Sequence, residues 1–233
     1  MKERPIAFTD GLVDLVVDGS KTQTRRALGR KFVGDRWRLE RLEGAVAHMR
    51  HPEHGLHRVR CPYGGPGDTL WIRQGWKTPE AWDGFSPVDL VGVFDGEGER
   101  VPIMLTSNGR RFGDWDLSPG IESFEFAPDQ DPGRVRAPMH LPHALAVHRV
   151  TVESLRVEPV TSISEADAKA EGVDVSDSDL GLLQTMAYAA GAAFERHTSA
   201  FFSLWDEINR RRGLGIDAKP WVWVVEMSNP RTR

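Results

Sequence analysis

Gly19-Ser20-Lys21-Thr22-Gln23-Thr24-Arg25-Arg26 is the stretch on which the reading of this chain turns. Just upstream, residues 5–9 (PIAFT) predict a short strand, and Asp10 stands as an N-cap. Leu12, Leu15 and Val16 then share one helical face, and Gly19 supplies the stop. The octet is therefore expected on the turn where the chain reverses. Within it, Lys21 and Thr24 carry the chemistry. A hydroxyl is a poor nucleophile at neutral pH unless a base or a cation lies beside it. A lysine serves as that base only where burial or a neighbouring cation lowers its pKa, and Arg25 and Arg26 are placed to add such a field. The same residues also read as solvated charges at a helix C-terminus with a threonine in a turn.

Working outward, residues 27–60 are charged and glycine-rich and read as loop, with one short strand near 36–41 (RWRLER). Residues 61–68 (CPYGGPGD) are a turn cluster, and 69–76 (TLWIRQGW) a strand. Alternation puts Trp71 and Arg73 on one face and Ile72, Gln74 and Trp76 on the other. Residues 77–135 read as an insertion with strand-like pieces at 90–94 and 121–126. A strong strand follows at 147–157. Ser164 and Asp167 form a capping box ahead of a helix that Gly172 ends. Residues 173–197, polar and then Ala-rich, read as a second, smaller insertion with a helix. Thr198 or Ser199 caps the next helix, striped with Phe201, Phe202, Trp205 and Ile208 and closed by Arg210, Arg211, Arg212 and Gly213. Residues 221–227 (WVWVVEM) make the last strand. Strands first, middle and last with helices between predict one α+β domain over residues 1–233, a mixed barrel and not a βαβ sheet.

Five ordered blocks resemble the ASCH superfamily. The octet matches its G-x-K-x-x-T-x-R pattern, and Pro66-Gly67-Asp68-Thr69-Leu70-Trp71-Ile72-Arg73 its P-G-D-x-L-W-V-R strand. Residues 163–172 are similar to its I-S-E-x-D-A-x-x-E-G helix, residues 202–209 to its F-x-x-L-W-x-x-I-N helix, and 221–226 to its closing strand. The longer phage and prophage members, which also carry Cys-Pro-Tyr-Gly before P-G-D, are the subgroup it most resembles. Most of 77–135 and 173–197 lies outside the resemblance. The likeness implies a PUA-like mixed β pseudobarrel with flanking helices, and a link to RNA. Small members hydrolyse N(4)-acetylcytidine with a Lys, a Thr and a Glu, which fall on Lys21, Thr24 and Glu171. The subgroup usually has Glu where this chain has Gln74, so a role needing charge there is lost.

Composition bounds the partners. The net charge is −4 and the pI about 6.1, so any nucleic-acid contact is a local patch. Lysine occurs only at 2, 21, 31, 77, 169 and 219; the rest of the 30 basic residues are Arg, suited to phosphate forks and base stacking. Cys61 is the single cysteine, which excludes a disulfide within the chain and suits a reducing cytoplasm. MKERPIAF has no apolar h-region, so a cytoplasmic location is expected.

Around the expected cleft, Arg25, Arg26 and Arg73 are candidate phosphate contacts, while Gln74 and Trp76 are candidates to read and stack a base. Met139 and His140 are candidates for its edge. Trp71 reads as a core tryptophan. His48, His51, His54 and His57 recur every third residue, but Pro52 and Gly55 break the run and the period is not a usual ligand spacing. They read as a loop, and no metal or other cofactor is expected. No phosphate-binding glycine loop, nucleophile elbow or Cys–His spacing is present. The leading expectation is an amidohydrolase acting on an acylated cytosine nucleoside or related modified RNA base. A non-catalytic RNA-binding module and a ribonuclease are the alternatives. Glu171 either positions Lys21 and shuttles a proton or activates water while Lys21 steadies an oxyanion.

Overall fold

The computed structural model describes residues 2–78, 80, 83–94, 103–107, 111–112, 133–173, 196–228 and 230–232. The expected strand at 121–126 and the expected helix within 173–197 lie outside the described residues, Val173, Arg196 and His197 excepted.

The described chain is mixed α+β. Strands β1 (Glu3–Ala7), β2 (Gln23–Ala27), β6 (Thr69–Arg73), β10 (His148–Pro159) and β11 (Trp221–Met227) form a sheet in the order β1-β6-β10-β11-β2, with β12 (Arg231–Thr232) paired to β10. Helix α1 (Asp10–Val17) joins the two edge strands. The described strands do not close into a barrel, but the Arg26 guanidinium donates to the Ala7 carbonyl at 2.8 Å, tying the two edges together. β10 is long because it serves both halves. Its start pairs with β6 and its end with β11, and a register shift between Val152 and Ser154 bends it.

The run WVWVVEM is apolar on both faces because both faces are covered. Trp223, Val225 and Met227 enter the main core with Ile6, Val13, Ile72 and Val150. Val222 and Val224 point the other way, against Phe201 and Trp205 of α4 (Arg196–Asn209) and Ala168 of α3 (Glu165–Ala170).

Several expectations are corrected. Residues 23–27 are an edge strand and not a turn, because pairing with β11 (Thr24 opposite Val225, Arg25 opposite Val224) outweighs their polar composition. Residues 38–60 are an antiparallel meander of β3 (Arg38–Glu43), β4 (Val46–His51) and β5 (Gly55–Arg60). Its outward positions carry Arg, Glu and His, which hides the alternation. The piece at 90–94 is the end of α2 (Pro87–Phe94): Ser86 accepts from the Asp89 amide at 3.2 Å, and Pro87 fits the first helical position. β7 (Trp76–Lys77), β8 (Ile103–Leu105) and β9 (Arg111–Phe112) make a third sheet inside the expected insertion. Because β6 stops at Arg73 and β7 begins afresh, Trp76 joins Trp71 in a second core cluster and does not share a face with Ile72.

At the start of α1, Thr9 is the N-cap. Asp10 instead accepts from the Gly75 amide at 3.2 Å and the Thr106 hydroxyl at 2.5 Å. The capping box of α3 is present as expected, and Gly172 follows with φ 74°. α4 begins before Thr198, and its cap comes from α3: the Glu165 carboxylate accepts from the amides of His197 at 2.9 Å and Thr198 at 3.0 Å. No described helix is long and apolar enough to cross a membrane.

Burial raises the Glu165 pKa, but the hydrogen bonds from His197 and Thr198 outweigh it and hold the carboxyl at about 2. Its folded pKa is depressed, so its contribution is full above the ordinary value of 4.5 and is lost as pH falls from there toward 2. Glu165→Ala is expected to cost about 1 kcal/mol, as for other lost helix caps. In urea melts across that pH range, wild type should lose its advantage over the variant; a gap that stays constant refutes the assignment.

Candidate functional site

The site forms where the ends of α1 and α3 meet the turn before β2. The end of α1 holds the turn before β2, because the Lys21 amide donates to the Leu15 carbonyl at 2.7 Å. The end of α3 holds it from the other side: the Thr22 amide donates to the Ala170 carbonyl at 2.9 Å. Gly172 permits this approach. A Cβ there would lie 2.9 Å from Lys21 Cβ and 3.1 Å from Leu15 Cδ1, on a backbone at φ 74° that suits glycine.

Lys21 Nζ donates to Glu171 Oε2 at 2.8 Å and to the Glu171 carbonyl at 2.6 Å. Both side chains are buried, at 2% and 6% exposure. Burial pushes the Lys21 pKa down. Glu171 opposes that shift, while Arg26 and Arg25 add to it. Thr24, also buried, makes no hydrogen bond through its hydroxyl among the described residues. Lys21, Thr24 and Glu171 line one recess of about 250 Å³. Of the three residues predicted to act together, Lys21 and Glu171, 150 positions apart, are hydrogen-bonded, and Thr24 lines the same recess without a hydrogen bond to either.

Arg25 lines the same recess but has another task. Its guanidinium is fully buried, 2.8 Å from Glu158 and 3.3 Å from both Asp167 and Glu171, and it also bonds Gln23. A cation so surrounded is not available to a phosphate; it positions Glu171. Arg156 extends the network to Asp167 at 3.0 Å and to Glu226. Arg26 lies over the Phe8 ring at 5.2 Å and is tied to Ala7.

The other candidates are not among the residues lining this recess. Arg73 stacks over Trp71 at 4.6 Å. Trp76 is fully buried with Arg136 at 5.2 Å over its ring, which leaves no face open to a base. Gln74 is fully buried and both its amide atoms lack a partner among the described residues. Met139 and His140 lie exposed on a single helical turn (Pro138–His140). The sequence reading missed the opposite wall, built by Phe201, Leu204, Trp205 and Ile208 of α4, and the arginines Arg30 and Arg212. The i, i+4 aromatic stripe was visible, but nothing local said which cavity it faced.

The histidines surround Trp37. Ring centroids lie 4.9 Å away for His51, 5.3 Å for His57 and 6.4 Å for His54. Ligand atoms of His51, Glu53 and His54 lie within 4.8 Å of one another. Those groups are otherwise engaged: His51 Nδ1 accepts from the Glu53 amide at 3.2 Å, and Arg36 holds the Glu53 carboxylate at 2.6 Å. The His51 and His54 rings stack at 4.4 Å and 19°. Cys61 is buried and burial pushes its thiol up to about 11, away from nucleophilic use.

Arg25→Met should destabilise the fold by about 3–5 kcal/mol, since it strands buried carboxylates. Denaturant melts check this, and a loss no larger than that of an exposed arginine refutes the positioning role. Gly172→Ala should push Lys21 out of register and lower the activity proposed below at least tenfold with the fold retained. No family model, no curated protein and no solved structure matches this chain.

Proposed function

We propose that this chain is an amidohydrolase-like enzyme acting on an acylated cytosine nucleoside or related modified RNA base, on a PUA-like pseudobarrel of the ASCH type. The observation that carries the reading is the buried Lys21–Glu171 pair, 2.8 Å apart, in one recess with an uncommitted Thr24 hydroxyl. The bent β10 and the seam bridged by Arg26 are what support the PUA-like fold.

The chemistry follows from valence. A neutral amine has two N–H bonds and one lone pair. Glu171 offers two acceptors to Lys21, its carboxylate and its carbonyl, so the lone pair is left for an incoming proton. Lys21 takes the proton of the Thr24 hydroxyl as its oxygen attacks the exocyclic amide carbon. The tetrahedral intermediate collapses as the new ammonium returns that proton to the departing nitrogen, releasing cytidine. Water, activated by the same amine, then frees the acyl group from Thr24 as a carboxylic acid. Glu171 orients the amine and stabilises its protonated form. The Thr24 hydroxyl beside that pair, without a partner among the described residues, is what favours hydrolysis over a purely RNA-binding module.

Incubation with N(4)-acetylcytidine should release cytidine and acetate. Lys21→Ala should lower kcat by about 10²–10⁴-fold, the usual worth of a general base. Thr24→Ser should retain activity and Thr24→Ala should not. Because the working amine must be unprotonated, kcat/KM should rise with pH on a limb below the ordinary lysine value of 10.5. Salt-dependent RNA binding by a wild type that hydrolyses none of these amides would establish the module instead.

A further inference from the structure

The recess has a charge pattern that its floor does not use. Five of its described lining residues are basic (Lys21, Arg25, Arg26, Arg30 and Arg212) and one, Glu171, is acidic. Three of the five are occupied: Lys21 by Glu171, Arg25 by its carboxylates, Arg26 by the Ala7 carbonyl. Arg30 and Arg212 are exposed, and among the described residues their side chains have no hydrogen-bond or ion-pair partner. They come from separate parts of the chain, one just past β2 and one just past α4, and both face the same cavity. On a chain of net charge −4, two guanidiniums at one recess give it a local positive charge that suits an anion.

Size says where the anion sits. About 250 Å³ falls just short of the roughly 300–1,000 Å³ that encloses a drug-sized ligand. A base with its acyl group fills such a space, between the aromatic wall of Phe201 and Trp205 and the polar floor. The sugar and anything attached to it then remain at the mouth, where side chains are exposed.

We infer that Arg30 and Arg212 form a phosphate-binding mouth, so that this recess takes a phosphorylated cytosine nucleotide in preference to the free nucleoside. This rests on the proposed function for the identity of the base but not for the phosphate. The phosphate comes either from a mononucleotide or from an RNA strand. Guanidinium forks bind both by the same charge-assisted hydrogen bonds.

Calorimetric titration with cytidine, cytidine 5′-monophosphate and a short cytosine-rich oligoribonucleotide tests the inference, at low and high salt. The monophosphate or the oligonucleotide should bind at least tenfold tighter than cytidine, and the gain should shrink with salt. Arg30→Ala/Arg212→Ala, two exposed positions whose loss leaves the fold intact, should abolish the gain and leave cytidine binding unchanged. Equal gains for both phosphorylated ligands assign a single phosphate, and a larger gain for the oligonucleotide assigns the strand. Equal affinity for all three ligands, no binding of any, or a gain that survives the double variant overturns the proposal. Binding is read without turnover, so failure to hydrolyse acetylcytidine sinks the catalytic reading alone.

Discussion

The lysine ammonium or amine of residue 21, enclosed with the carboxylate of residue 171, is the contact on which the rest of this molecule depends. Taking either group out of water is costly, and the cost is offset only if the partner arrives in good geometry. Three backbone decisions deliver that geometry. α1 ends where its Leu15 carbonyl receives the Lys21 amide, α3 ends where its Ala170 carbonyl receives the Thr22 amide, and Gly172 clears the space between. Glu171 then meets Lys21 with its side chain and its own carbonyl together. A lysine held this way is both desolvated and oriented, the two conditions that separate a reactive amine from a solvated charge.

Around this pair the charges are arranged in depth. Arg25 is buried among Glu158, Asp167 and Glu171, and Arg156 ties the outer members together. The arrangement keeps the Glu171 carboxylate from swinging away and sets a positive field beside Lys21 that adds to the effect of burial. It also divides the arginines by function. Those inside the network position other groups, whereas Arg30 and Arg212, beyond it, have no side-chain partner among the described residues.

The sheet makes this placement possible. β2 is an edge strand, so the recess can draw side chains from it while α3 and α4 close over the outer face. β11 is buried on both sides and transmits that constraint: Trp223 and Val225 lock it to the main core, Val222 and Val224 to the helices. Moving β11 by one residue would exchange those two sets and pull β2, and with it Thr24, out of the site.

The amino-acid sequence by itself determined where α1 and α3 stop, the capping box of α3 and the strand at 221–227, because caps, glycine stops and unbroken apolar runs are local signals; Lys21, Thr24 and Glu171 were brought together by the resemblance to the ASCH superfamily and not by a local signal. It left the strand character of residues 23–27 unread, since an edge strand made of Gln, Thr and Arg is stabilised by its neighbour and not by its own composition. It hid the 38–60 meander behind outward-facing charges, and it sent Trp76 to the wrong face because a break at Gln74–Gly75 resets the alternation. Tertiary structure alone decided which arginines are free. Arg25 and Arg212 are the same residue type, each beside other arginines in the sequence, and only the folded chain surrounds one with carboxylates and leaves the other facing an open cavity.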